Sequence, residues 1–250
     1  MTLLEKAYDL FSFKTFKPYL KELCKDLEVE LQVTGNNRGW VQVEIAGEDE
    51  AIELKYLERQ VGFAPETIEN VEKFSAFSGR VMKTKSKTEL YVDIGVFDPE
   101  SINAVIPLQC LQAQLADGKK LALQNIVALY GLDNNVPVHV KIVKVDKESG
   151  QIWAELSEWQ LVTFNEWVRA SVDRLLVLGS LRSYVDRAVK VSGHARDVIK
   201  IESLGLLDHI VICKLGTDAQ GLIPRFGKYL RTASLVPFSP RKILELIDRM

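Results

Sequence analysis

The centre of the chain carries the stretch Glu89-Leu90-Tyr91-Val92-Asp93-Ile94-Gly95-Val96. Its apolar and β-branched residues predict a strand, and a polar turn at 84–88 joins it to an earlier strand at 80–83. The other elements predicted around it are strands at 103–108, 136–145 and 151–156 and a helix at 119–130. Five short strands with one helix between the third and the fourth are the OB arrangement, so a barrel is expected here.

The N-terminal part alternates strands and helices in the order β-α-β-β-α. The predicted strands are 2–9, 28–33 and 40–45, and the predicted helices are 14–26 and 48–60. Gly35–Gly39 supplies turn chemistry between the second and third strands. This order predicts a small α+β unit of ferredoxin-like or ACT-like type. Such folds host RNA binding, ligand sensing and dimerisation alike, so the fold alone assigns no function.

The C-terminal part is expected to form a further α+β domain. Its predicted elements are helices at 161–170, 181–191 and 241–249, a hairpin of 198–204 with 207–215, and a helical turn at 226–232. Ala104–Pro107 and Gly221–Pro224 share a small-apolar-Ile-Pro signature, which indicates a degenerate second OB unit. A KH-like αββα unit is the competing interpretation. The predicted organisation is α+β and multidomain, with domains at 1–72, 73–158 and 159–250.

Composition favours ordinary globular domains over a membrane protein or a disulfide framework. The 250 residues are 47% apolar and 26% charged, and no apolar run approaches the roughly 18 residues of a membrane span. The N-terminus lacks the basic and apolar regions of a signal peptide. Cys24, Cys110 and Cys213 are far apart and odd in number. We therefore expect a cytoplasmic protein that makes no membrane contact.

Charge is distributed unevenly along the chain. The formal net charge is −6 over residues 1–75, −1 over 76–159 and +5 over 160–250, within a total of −2. An acidic first third and a basic last third suggest different partners for the two ends. We expect RNA as the main partner, and a protein partner or a second copy at the acidic N-terminal domain.

Five blocks in the central segment resemble S1 domains, and they occur in the S1 order. They are Gly79–Val81, Glu89–Gly95, Asn103–Leu111, Val138–Asp146 and Ile152–Ser157. The whole chain also resembles an archaeal family of uncharacterised proteins with an S1-like centre. That impression is carried by Arg196–Val198, Leu204–Leu207, Cys213–Asp218 and Gly221–Pro224. The resemblance implies a five-stranded S1-like OB barrel, an RNA ligand and a link to translation or transcription.

The central segment departs from the S1 pattern at two positions. Thr88 stands where S1 domains commonly have an aromatic residue, and Pro107 stands where they often have His, so that Tyr91 alone keeps the aromatic character. The other RNA-binding candidates are basic, because Lys and Arg contact phosphates. The candidates are Lys83, Lys85, Lys87, Tyr91, Lys141 and Lys144 in the barrel and Arg182, Arg187, Arg196, Arg225, Lys228 and Arg231 in the C-terminal domain. The alternative is that these charges are simply solvated.

No complete catalytic or metal-binding motif is present in the sequence. Gly216–Gly221 has the spacing of a P-loop but lacks the Lys-Ser/Thr that should follow. His209 and Cys213 share one strand face without further ligands. We therefore expect a protein that is not an enzyme and that needs no cofactor or metal. The three tryptophans near the end of the barrel are expected to pack the C-terminal domain onto it: Trp153, Trp159 and Trp167.

The leading hypothesis is an RNA-binding factor that is associated with the ribosome or with translation. A protein-interaction adaptor or dimerising regulator that uses the barrel for protein contacts is the first alternative, because OB barrels host both kinds of ligand. An enzyme with an unrecognised site is the second alternative.

Overall fold

The fold is that of a computed structural model that describes residues 1–7, 13, 14, 16, 18, 20, 28–83 and 85–248. Three β-sheets follow one another along the chain, with helices packed between and around them. The first and third sheets are open and the second is a closed barrel. The α+β, multidomain organisation expected from the sequence is confirmed.

The N-terminal sheet has the strand order β1-β3-β2 and is antiparallel throughout. Its elements are β1 (Thr2–Lys6), β2 (Val29–Asn37), β3 (Trp40–Gly47) and helix α1 (Glu50–Gln60). Residues 62–64 pair with the other edge of β1, since the Leu4 N–H donates to the Gly62 carbonyl at 3.0 Å. With this short fourth segment the described strands lie in the spatial order 62–64, β1, β3, β2, which is the order of a ferredoxin-like sheet. The helix predicted at 14–26 lies largely outside the described residues.

The central sheet closes into a five-stranded barrel of OB topology. Its strands are β5 (Ala76–Val81), β6 (Glu89–Asp98), β7 (Ile102–Pro107), β8 (Pro137–Asp146) and β9 (Gln151–Leu156), and the short β4 (Glu66–Thr67) adds to the side of β6. β5 pairs with β6 and β8, and the parallel pairing of β7 with β9 completes the circle. The interior is filled by branched apolar side chains from alternate positions of every strand.

Two helices stand where one was expected between the third and fourth barrel strands. They are α2 (Leu108–Leu115) and α3 (Leu123–Tyr130). α2 begins directly after β7 and buries Leu111 and Leu115, which are four residues apart. α3 begins later than predicted because residues 119–122 are not helical, and Ala122, just before the helix, has an extended backbone with ψ of 146°.

The C-terminal domain is a βαββαβ unit. Its elements are β10 (Arg174–Leu178), α5 (Arg182–Val191), β11 (Val198–Ser203), β12 (Asp208–Cys213), α6 (Ala219–Phe226) and β13 (Ser234–Phe238). The strands are antiparallel in the order β11-β12-β10-β13. Helix α4 (Glu158–Arg169) links this domain to the barrel, and α7 (Pro240–Asp248) follows it.

This arrangement corrects the predictions for the last third of the chain. Gly221–Pro224 lies inside helix α6, whereas Ala104–Pro107 lies in strand β7, so the shared signature does not mark a second OB unit. The KH-like alternative is also wrong, because strands β10 and β13 both add to the β12 side of the predicted hairpin and complete a four-stranded sheet. The helical turn predicted at 226–232 is present in its first part, because the Leu230 N–H donates to the Phe226 carbonyl at 3.0 Å just after helix α6 ends.

A buried charge cluster joins the three domains. The Arg80 guanidinium of the barrel donates to Asp208 of the C-terminal domain and to Glu5 of the N-terminal domain, the latter at 3.0 Å. Beside it, Lys6 Nζ lies 2.6 Å from Asp93 Oδ2. Because these groups are nearly inaccessible to water, each must keep its partners when the protein is folded. The cluster therefore fixes how the flanking domains sit on the barrel.

A cleft of about 830 Å³ lies beside this cluster, where the three domains and helix α4 meet. Its walls include Phe77 and His139 of the barrel, Trp159 of α4 and Leu206 of the C-terminal domain. Its barrel wall is formed by β5 and by the first residues of β8, Pro137–His139.

Candidate functional site

Four outward-facing side chains form one row across the barrel surface. Tyr91 on β6 pairs with Val105 on β7, Val105 pairs with Trp153 on β9, and Trp153 pairs with Lys144 on β8. The side chains face outward because their sequence neighbours fill the barrel core: Leu90, Val92, Ala104, Ile106, Ile152 and Ala154. We call Tyr91, Val105, Trp153 and Lys144 the barrel row.

Trp153 presents a partly exposed ring to solvent in the middle of this row. The Nζ atom of Lys144 lies 4.7 Å from the centre of the Trp153 ring, a cation–π contact. The expectation that Trp153 packs against the C-terminal domain is therefore wrong. Trp167 does have that role, with its ring 5.1 Å from that of Phe238. Trp159 remains 63% exposed on α4.

Tyr91 is the second aromatic side chain of the row. Its hydroxyl donates a 2.6 Å hydrogen bond to Glu89 Oε2, and this bond raises the pKa of Tyr91, with desolvation and the Glu89 charge adding to the effect. The bond anchors the ring on the strand surface and keeps the phenol neutral. Thr88 is exposed and Pro107 half-buried at the positions where S1 domains carry further ligand-binding side chains. Trp153 thus supplies a second ring at a different position.

Three lysines stand on the loop between β5 and β6: Lys83, Lys85 and Lys87, which we call the lysine loop. All three are exposed. The loop is held at both ends, because the Lys83 N–H donates to Asn134 Oδ1 at 2.9 Å and Ser86 Oγ accepts the Glu89 N–H at 3.1 Å. In OB folds this loop borders the ligand face, and here it leads into β6, on which Tyr91 of the barrel row lies four residues after Lys87. Thr84, in the same loop, lies outside the described residues.

Lys141 is less available for a phosphate contact than the lysines of the lysine loop, because it pairs with an acidic side chain. It faces outward on β8, and its Nζ lies 3.9 Å from Glu155 Oε1, with both side chains about one-third exposed. A surface pair of this kind holds the two charges together only loosely, at roughly 0–1 kcal/mol. Lys141 therefore adds little net charge to the surface unless a ligand displaces Glu155.

The basic candidates of the C-terminal domain lie away from the barrel. Helices α5 and α6 pack on one face of the domain's sheet, through Val185, Val189, Leu222 and Phe226 among others. The opposite face packs against the barrel core, with Leu176 as one contact. The candidates on this outer helical layer and its turns are exposed: Arg182, Arg187, Arg196, Arg225, Lys228 and Arg231. Arg182 also forms a surface pair with Asp186, with 3.2 Å between Nε and Oδ2. The structure thus separates the sequence-predicted residues into two surfaces.

His209 and Cys213 are buried packing residues in β12. Burial lowers the pKa of His209 and raises the pKa of Cys213 to about 12, so both side chains are neutral near pH 7. Among the described residues no group of three or more His, Cys, Asp or Glu side chains is placed to hold a metal ion.

Trp153, the central residue of the site, is not among the RNA-binding residues predicted from the sequence. Trp153 was assigned to packing, although the alternation of Gln151–Leu156 places it on the outward face of its strand. The pairing of β9 with β7 brings it into line with Tyr91, and this pairing joins segments almost 50 residues apart. The alternation of buried and outward positions along the strand thus predicts that Trp153 faces outward. The sequence pattern does not predict that the Trp153 ring lies in line with Tyr91.

The fold defines a three-domain protein with a closed barrel between two α+β units. Family models match nearly the whole chain: the DUF2110 N-terminal domain at residues 1–66, the DUF2110 central domain at 71–168 and the DUF2110 C-terminal domain at 172–237. The chain belongs to the DUF2110 family.

Several solved structures are similar to parts of the chain. An uncharacterised protein from Methanocaldococcus jannaschii is 15% identical, with a TM-score of 0.24, over 35% of this chain and 95% of that one. A chain of the a/eIF2alpha–aDim2p–rRNA complex from Pyrococcus horikoshii is 13% identical, with a TM-score of 0.28, over 51% and 70%. The intact alpha subunit of aIF2 from Pyrococcus abyssi is 9% identical, with a TM-score of 0.27, over 66% and 97%.

No curated protein matches the sequence. None of the helices in the described part of the chain has the length and apolar character needed to cross a membrane.

Proposed function

We propose that this protein binds single-stranded RNA across the outer face of its barrel and acts by binding rather than by catalysis. The observation that carries the proposal is the barrel row, in which Tyr91 and Trp153 present two rings on alternate strands with Lys144 against the second ring. Aromatic platforms interleaved with cations are the surface that proteins use for unpaired nucleic acid. The S1-like blocks favour RNA and a role in translation.

The two kinds of side chain contribute differently to such binding. Stacking of a base on an exposed ring contributes about 1–3 kcal/mol and tolerates any base. Lysines contact phosphates and release counterions, so their contribution weakens as salt rises. Four exposed lysines border the face: Lys83, Lys85, Lys87 and Lys144. If all four contact phosphates, the logarithm of affinity falls with the logarithm of salt concentration with a slope of about −3.

The salt dependence of binding tests which surface contacts the RNA. Fluorescence anisotropy with a labelled single-stranded RNA gives the slope for the intact chain and for two triple variants. In the first, Lys83, Lys85 and Lys87 become Ala; in the second, Arg225, Lys228 and Arg231 become Ala. We expect the first variant to flatten the slope by about 2, since three single-strand phosphate contacts are lost.

The second triple variant is the control, because its residues lie on the far helical layer of the C-terminal domain. A flattened slope in the second variant alone would move the RNA site to the C-terminal domain. An unchanged slope in both variants would contradict the proposal that either basic surface binds RNA.

A further inference from the structure

Phe74 is an exposed aromatic residue in a backbone conformation that its side chain disfavours. It lies just before β5, is 65% exposed and has φ of 72°. A left-handed conformation is costly for any residue with a Cβ atom and is an outlier for a bulky one. Strain of this kind persists only where the surrounding structure enforces it, and it concentrates at functional positions.

The local hydrogen bonds show what enforces this conformation. The Ile142 carbonyl accepts the Phe74 N–H at 2.8 Å, while the Ile142 N–H donates to the Ser75 carbonyl at 2.9 Å. Two residues, Phe74 and Ser75, therefore oppose the single residue Ile142, which is the pattern of a β-bulge. The first position of a bulge with this left-handed angle is normally glycine. Here the position carries a phenylalanine whose ring points into solvent.

Two cations accompany the exposed ring. The Nζ atom of Lys73 lies 4.6 Å from the centre of the Phe74 ring, and that of Lys141 lies 6.0 Å from it. This is the chemistry already found at Trp153 and Lys144. Phe74 therefore has the features of a stacking platform, and burial in a core does not explain it.

Phe74 also lies in line with the barrel row. The bulge sets it beside the Ile142–Val143 step of β8, and the neighbouring residue Lys144 pairs with Trp153. One strand separates Phe74 from Trp153, and one strand separates Trp153 from Tyr91. At about 4.8 Å per strand the three rings span roughly 19 Å around the barrel surface.

We propose that Phe74 is a third stacking platform for single-stranded RNA, which extends the binding track from β6 across β8, with Lys73 and Lys141 contacting phosphates. The inference rests on the proposed function, because it assigns the same ligand to a longer surface. An RNA strand on this track runs around the barrel, across its strands, in the order Tyr91, Trp153, Phe74.

The variant Phe74→Asn separates a binding role from a structural one. Asn tolerates the left-handed backbone that Phe resists, so we expect the midpoint of thermal unfolding to stay unchanged or to rise. The same variant lacks the ring, and loss of one stacked base weakens binding by about 5- to 140-fold. Phe74→Trp keeps a platform, and we expect it to retain wild-type affinity.

The measurement is anisotropy of a labelled oligouridine of about 12 nucleotides, within the range of OB site sizes, with thermal unfolding of each variant alongside. Tyr56→Ala, an exposed aromatic change on α1, is the control and should leave the affinity unchanged. Wild-type affinity in Phe74→Asn, with weakened binding in Tyr91→Ala, would overturn this inference and leave the proposed function standing. If the unaltered chain binds no RNA, both this inference and the proposed function are contradicted.

Discussion

Arg80 is the residue on which the three domains meet. It lies on β5, is 3% exposed, and donates to one carboxylate from each flanking domain. One guanidinium therefore faces two buried acids, Glu5 and Asp208. Glu5 Oε1 also accepts the backbone N–H of Leu206 at 3.0 Å, which ties the N-terminal strand to a loop of the C-terminal domain.

This cluster predicts an unusual dependence of stability on pH. Burial, the largest cause, raises the pKa of Glu5 to about 7; the Arg80 charge opposes this shift and the Asp208 charge adds to it. A carboxyl with a raised pKa binds more protons in the folded than in the unfolded state between about pH 4.5 and pH 7. Its contribution to stability is therefore complete below pH 4.5 and is lost as the pH rises through about 7.

Urea unfolding at several pH values tests this prediction with the variant Glu5→Gln. The free energy of unfolding of the wild type should fall over that interval, and the fall should be smaller in Glu5→Gln, which has no proton to lose. Glu148→Gln, a change at an exposed turn, is the control. Equal pH slopes in wild type and Glu5→Gln would show that Glu5 titrates as an ordinary exposed carboxyl.

At the scale of single residues, the sequence identified some of the site and missed the rest. Tyr91 and the lysine loop were predicted from the S1-like pattern and a polar turn. Trp153 and Phe74 were missed because their roles depend on pairings between distant strands and on one bulge. A residue pattern along the chain predicts which side of a strand is exposed, but not what stands beside it on the next strand.

At the scale of secondary-structure elements, β6 packs closely against the connector that leads from the N-terminal domain. Gly95 on this strand has φ of 84°, and a Cβ added there would lie 2.6 Å from the Ala64 Cβ in the connector from the N-terminal domain. Glycine is thus required twice at this position, for the backbone angle and for the close approach of the connector.

The variant Gly95→Ala tests this close approach. We expect it to lower the free energy of unfolding by about 1–3 kcal/mol for overpacking, in addition to about 1–2 kcal/mol for the left-handed backbone. Gly216→Ala is the matched control, since Gly216 has φ of 87° and nothing within 4 Å of an added Cβ. Denaturant unfolding of the two variants isolates the packing contribution, and equal losses would contradict the contact with Ala64.

The elements that the sequence predicted best are the amphipathic ones. Residues 151–156 place the apolar residues Ile152, Ala154 and Leu156 at every second position, and β9 has these bounds. β10 was missed because Arg174–Leu178 is an apolar run buried on both faces, which carries no period-2 signal. β13 was missed because Pro237 interrupts its pattern; the strand lies at the edge of the sheet, where proline is tolerated.

Considered as a whole, the molecule is a barrel held between two α+β domains by buried charges, with the two half-buried rings of Tyr91 and Trp153 on its outward face. The acidic first third and basic last third of the sequence correspond to the two flanking domains. The six basic candidates of the last third lie on the outer helical layer and its turns, away from the barrel. The nearly neutral barrel therefore owes its proposed affinity for RNA to exposed rings and a few lysines rather than to a strongly positive field.

The central claim is that Tyr91 and Trp153 bind bases, and paired double variants test it most directly. Anisotropy titrations with a labelled single-stranded RNA compare the intact chain with Tyr91→Ala plus Trp153→Ala. The control is Tyr56→Ala plus Trp159→Ala, which removes the same two ring types from exposed positions outside the row. We predict a loss of affinity of about 25-fold or more in the first double variant and none in the control. Equal affinities of the two double variants would contradict the claim that the barrel row binds RNA.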